Sequence, residues 1–142
     1  MPRISLLNMA IGFSVLFLAA CAGAFVSFDM TEAFLKDTTQ LHNWQATLLA
    51  SAHGHTNLFA MLHILLGLTF PYSSLSNRIK AWQTGGLFAG VIAMGPLMMI
   101  RASYGPSASL EGMGLLIGAL LSLALLTLAS HAAALWYRFV RA

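Results

Sequence analysis

Apolar residues dominate four stretches of this chain, about 5–27, 47–70, 82–101 and 110–137, and polar residues gather in the short connections between them. A helix needs roughly 20 such residues to cross a bilayer. The pattern therefore predicts an all-α fold, an integral membrane four-helix bundle forming a single domain over residues 1–142.

Within the first stretch, Gly12, Ala19, Gly23 and Ser27 share one side of a helix, a face suited to close contact with a neighbour. Leu18-Ala19-Ala20-Cys21 fits a lipoprotein cleavage box after the charged start at Arg3. The apolar run continues through Phe25, Val26 and Phe28, so a retained helix is expected, with Cys21 as a small buried apolar residue. Asp29-Met30-Thr31-Glu32 reads as a new helix start capped by Thr31 or Asp29, leading a short surface helix over 32–45 in which His42 is exposed. The second span ends at Phe70-Pro71-Tyr72, and Asn77-Arg78-Ile79-Lys80 reads as a short loop. Pro96 removes a backbone donor and predicts a kink in the third span. A tight turn is expected over 101–106. The fourth span then starts near Ser107 or Ser109, with Glu111 in its first turn. There Gly114, Gly118 and Ser122 recur every four residues, which predicts contact with another helix.

Composition agrees with the pattern. Hydrophobic residues make up 58% and charged residues 8% of the chain, where a soluble domain carries about 25% charged residues. The few basic residues lie at helix ends, which argues against nucleic acid as a partner. A single cysteine excludes an internal disulfide framework. Arg3, Arg78, Lys80, Arg138 and Arg141 fall on one side of the predicted spans, and Lys36 and Arg101 on the other. The positive-inside rule then puts both termini in the cytoplasm of a multi-pass protein, expected in the inner membrane of a bacterium. Trp44, Trp82 and Trp136 fall at predicted boundaries, where amphipathic rings settle.

The second span carries the candidate chemistry. His53, His55 and His63 lie within eleven residues of one another, and ionisable groups inside a bilayer are costly. At about 100° per residue, His53, Thr56, Asn57, Ala60, His63 and Gly67 fill one arc about 120° wide, while His55 points the other way. Lipid cannot satisfy that arc, so it faces protein or a cofactor. His53 and His63 are separated by about 15 Å along the axis, too far to share one ion. Haem needs only one or two axial ligands, and small neighbours leave room for a flat macrocycle. Thr56 and Ala60 would line it, Met98 would stand as sixth ligand or pocket wall, and Arg101 and Tyr104 would meet its propionates. Two alternatives remain open. His53 and Asn57 can make interhelical hydrogen bonds alone, or His53-Gly54-His55 with Met94, Met98 and Met99 can take copper. For His63 a bond to a carbonyl is expected ahead of a role as second haem ligand or pocket acid/base, and for His131 an interfacial position.

Ala52-His53, the apolar helix closing at Pro71, Asn77-Arg78 and a glycine-containing third span together resemble the styrene oxide isomerase family, over roughly residues 51–100. The resemblance implies a four-span membrane protein assembling as a homotrimer, with haem b between neighbouring subunits. It implies His53 as the axial ligand of the iron. It also implies an intramolecular isomerase, in which ferric iron acts as a Lewis acid on an epoxide oxygen and a small lipophilic epoxide becomes a carbonyl compound. The family's substrate-orienting asparagine and tyrosine map onto Phe59 and Met98, neither of which can replace them as hydrogen-bonders. Asn57, one turn from His53, is the candidate catalytic substitute. A non-catalytic haem protein, serving as an electron-transfer, sensor or accessory subunit, is the alternative.

Overall fold

The computed structural model describes residues 1–36, 44–104 and 111–142. Its helices are α1 (Arg3–Lys36), α2 (Trp44–Thr69), α3 (Asn77–Ile92), α4 (Met98–Ser103) and α5 (Glu111–Arg141). A 3-10 turn, Phe70–Tyr72, follows α2, and a π-helical segment, Ala93–Leu97, joins α3 to α4 into one rod. Four rods result, and no strand occurs among the described residues. His42 and the expected start of the fourth span at Ser107 or Ser109 lie outside the described residues.

Three rods are long and apolar enough to cross a membrane: Arg3–Phe28, Asn77–Ser103 and Gly112–Arg141. Although α2 has 26 residues, enough length to span, Gln45, Ser51, His53, His55, Asn57 and His63 dilute its hydropathy. The rods pack in the order α1, α2, α3–α4, α5. The inner pair supplies most of the core, in which Phe59, Leu66 and Phe70 of α2 meet Leu87, Val91, Ala93 and Met94 of the third rod, and α5 adds Ala124. By contrast α1 and α5 turn large apolar side chains outward, among them Phe13, Phe17, Phe25, Leu115 and Leu126.

Several local expectations change. The first helix runs without a break to Lys36, so Asp29–Glu32 is no helix start, and Lys36 donates to Glu32 one turn earlier at 2.6 Å. Cys21 is exposed, because the face that meets α2 is the glycine face and Cys21 lies off it. The segment Asn77–Lys80 is not a loop but the first turn of α3, since the Ser76 hydroxyl accepts from Ile79 N at 3.4 Å as an N-cap. Pro96 sits inside the π segment, where a wider turn absorbs the missing donor. Gly114 and Gly118 are exposed with nothing of this chain within 4 Å of a Cβ placed there, so the α5 stripe does not meet another helix among the described residues.

Close approach of α1 and α2 explains where the candidate histidines point. A Cβ at Gly12 would lie 2.6 Å from Ala60 O, and one at Gly67 would lie 2.6 Å from Ser5 O. Backbone contacts this short need glycine on one side or the other, and they fix the rotation of both helices.

Candidate functional site

His53 lies in the α1–α2 seam. Its ring edge rests on Gly23, and a Cβ there would collide with Cε1 between the two ring nitrogens. The amide Nδ2 of Asn57 donates to Nε2 of His53 at 3.1 Å. On the other side of the ring Nδ1 is buried with no hydrogen-bond partner, and so is Oδ1 of Asn57. Both residues are half-buried, so the pair stands at the margin of the seam.

The other arc residues divide between two seams. Ala60 is buried against Gly12 of α1. Thr56 is buried on the other side, where its hydroxyl donates to Ala52 O at 2.7 Å and faces Gly95 of the π segment. Met98 packs half-buried against the apolar core. At the far end the Arg101 guanidinium lies 4.8 Å from the centre of the Trp44 ring, and Tyr104 is exposed as α4 closes. The six candidate cofactor contacts therefore do not converge. Phe59 packs on Gly90 in the core, away from His53. His55 is exposed and bonded to its own helix through Ser51 O at 2.8 Å.

His63 is the better-defined histidine. It is fully buried, and its Nδ1 bonds a carbonyl as expected, the side-chain amide oxygen of Asn8 at 2.9 Å. A carbonyl of α2 is already used by the helix, whereas Asn8 of α1 arrives from the side. The Asn8 amide has only one orientation that works. Its Nδ2 donates to Ile4 O at 2.9 Å and to Thr84 Oγ1 at 2.7 Å, and Thr84 in turn donates to Lys80 O at 2.9 Å. Oδ1 is thus left as an acceptor, and the neutral His63 ring must carry its proton on Nδ1. Its Nε2 is then a bare lone pair, buried without a partner. Nitrogen-15 NMR of ring-labelled protein is expected to show Nδ1 protonated and Nε2 unprotonated at neutral pH. The opposite tautomer would break the assignment of the Asn8 amide.

A second knot ties the far end of the bundle. His131 is buried rather than interfacial, because α5 turns it between two helices. Its Nε2 lies 2.8 Å from Thr69 Oγ1, and its Nδ1 lies 3.3 Å from Gln83 Oε1. Gln83 also donates to Ser130 Oγ at 2.8 Å. Lys80 is buried too, and its ammonium donates to Phe70 O at 2.8 Å and Ser73 O at 3.4 Å. There it neutralises the negative end of the α2 dipole.

Sequence reasoning missed Asn8, Thr84 and Gln83. The available signal was spacing: Ser5 and Asn8, and Lys80 and Thr84, are polar pairs at helical spacing inside apolar runs. A group of three or more His, Cys, Asp or Glu side chains able to hold an ion is absent among the described residues. At His53 the ring is seated on Gly23, Nδ1 is unpaired, and Nε2 accepts from an amide that can rotate away, so Nε2 is the nitrogen through which this ring could hold a single-ligand cofactor. No family model, curated protein or solved structure matches the chain.

Proposed function

We propose that this is a haem-b-binding membrane protein with His53 as axial ligand of the iron, resembling styrene oxide isomerase. The observation that carries the reading is the His53 imidazole, seated on Gly23, whose Nε2 lone pair is engaged only by the Asn57 amide while Nδ1 is buried and unpaired. With Nε2 accepting from the amide, the neutral ring carries its proton on Nδ1, and Nε2 is the lone pair that would ligate iron once Asn57 turns away. Haem bound there, in its ferric state, supplies a Lewis acid for an epoxide oxygen.

The chain's own residues do the rest. Gly23 sets the plane of the His53 ring by leaving no Cβ beneath it. Asn57, released from Nε2, is free to donate its amide N–H to a substrate oxygen one turn away. The isomerase half of the reading depends on Asn57, since Phe59 faces the core. The apolar outer faces of α1 and α5 admit a small lipophilic substrate from the bilayer, or the neighbouring copies of a homotrimer.

The purified protein is expected to show a Soret band. His53→Ala should abolish it, while His55→Ala and His63→Ala should keep it. Rearrangement of an aryl epoxide to an aldehyde by the loaded protein, lost in Asn57→Leu, would separate an enzyme from a haem-binding electron-transfer or accessory subunit. The Asn57–His53 hydrogen bond favours a second reading, in which the pair only satisfies itself inside the bundle. A colourless protein from haem-replete cells decides for that reading.

A further inference from the structure

We propose that the end of the bundle carrying both termini binds the headgroups of anionic phospholipids, in two basic clefts. The inference rests on the membrane-spanning reading of α1, α3–α4 and α5 and is independent of haem. One cleft, of about 370 Å³, is lined by Ser74, Tyr137, Arg138, Arg141 and Ala142. Here the Arg141 guanidinium lies 4.2 Å from the centre of the Tyr137 ring, which fixes its height above α5. Two guanidinium groups, a phenol and a hydroxyl line this opening, and none of its lining side chains is acidic. The second cleft, of about 590 Å³, is lined by Pro2, Arg3, Ile4, Leu7 and Asn77. It is amphipathic: a guanidinium and an amide stand beside two aliphatic side chains that continue into the apolar face of α1.

Charge decides the ligand's sign. No acidic residue occurs in 1–8, 69–84 or 130–142, the segments that build this end. The Glu32–Lys36 pair is at the far end of α1. Lys80 adds a buried positive charge beneath Phe70. Uncompensated arginines prefer a phosphate, which accepts two parallel N–H bonds from one guanidinium. Depth decides the source. Trp82 and Trp136 are exposed at this end, where indole rings mark the headgroup layer. A phosphate diester at that level, with acyl chains running down past Ile4 and Leu7, meets both halves of the second cleft.

The test uses the full chain purified in a zwitterionic detergent. Retention of phosphatidylglycerol and of phosphatidylcholine with identical acyl chains is compared by native mass spectrometry. Preferential retention of phosphatidylglycerol is expected, with about a fivefold loss of preference for each arginine removed in Arg3→Gln, Arg138→Gln and Arg141→Gln. Lys36→Gln should retain the preference. Equal retention of the two lipids overturns the proposal, as does an equal loss in Lys36→Gln. Millimolar inorganic phosphate that displaces the lipid completely would identify a free-anion site and reject the lipid. In unaltered protein the preference should shrink between low and high salt, and a salt-independent preference counts against arginine–phosphate contact.

Discussion

Asn8→Leu is expected to lower the stability of the bundle by about 1–3 kcal/mol, most of it from one orphaned proton. Asn8 is fully buried and joins three helices, taking the Nδ1 proton of His63 and donating to Thr84 and to Ile4 O. Hydrogen bonds between helices in a bilayer average only about 0.6 kcal/mol in double-mutant cycles. Losing the bonds is therefore the smaller effect. The larger one is the His63 N–H left in an apolar core with its Nε2 already unpartnered. Thr84 suffers less, because its own proton still goes to Lys80 O. The double variant Asn8→Leu, His63→Phe should recover much of the loss, since replacing both partners by apolar groups leaves nothing unsatisfied. Denaturant titration in mixed micelles reads both numbers. If the double variant falls by the full sum of the two single effects, the two residues are not coupled and the network is incidental.

That node also shows what the sequence could and could not tell. Four helical rods, the glycine face of α1 and the inward direction of His53 follow from residue spacing alone, because each depends on one helix and its own period. Gly12 and Gly23 meet α2 and Ala19 is buried on the same face, whereas Ser27, the fourth residue of that face, is exposed. Partners across helices depend on rotation and tilt, which backbone contacts at Gly12 and Gly67 set and no one-dimensional pattern contains. Hence the α2 arc, read as one surface, divides: His53 and Ala60 turn to α1, Thr56 to the π segment. The end of the first helix was misread for a related reason. Asp29 and Glu32 look like a cap after an apolar run, but a charged turn extending past the membrane boundary costs a helix nothing when Lys36 answers Glu32. Lys80 misled in the opposite way. Its charge suggests a solvated loop, whereas its long stem lets the ammonium reach two carbonyls at the end of α2.

Gly12→Ala should be as damaging as the loss of Asn8, about 1–3 kcal/mol, although it adds only a methyl group. The added Cβ would stand 2.6 Å from both Ala60 O and Ile64 Cγ1. Ile64 can rotate, but the carbonyl belongs to the backbone of α2 and can yield only if the helices part. Gly23→Ala meets a different obstacle, the His53 ring, which can swing aside. Its cost in stability is thus expected to be smaller, and its effect to fall on the ring, as a shifted or weakened Soret band under the haem reading. Gly85→Ala has open space around it and should stabilise by up to about 1 kcal/mol through helix propensity. Gly118→Ala, equally open within one chain, should also leave the isolated fold intact. Any dissociation it causes in a size measurement would then report a second copy on the α5 stripe, because no contact inside the described chain is there to be lost. A Gly12→Ala protein as stable as the unaltered one would mean that α1 and α2 sit farther apart than these contacts require, and the seating of His53 on Gly23 would fail with it.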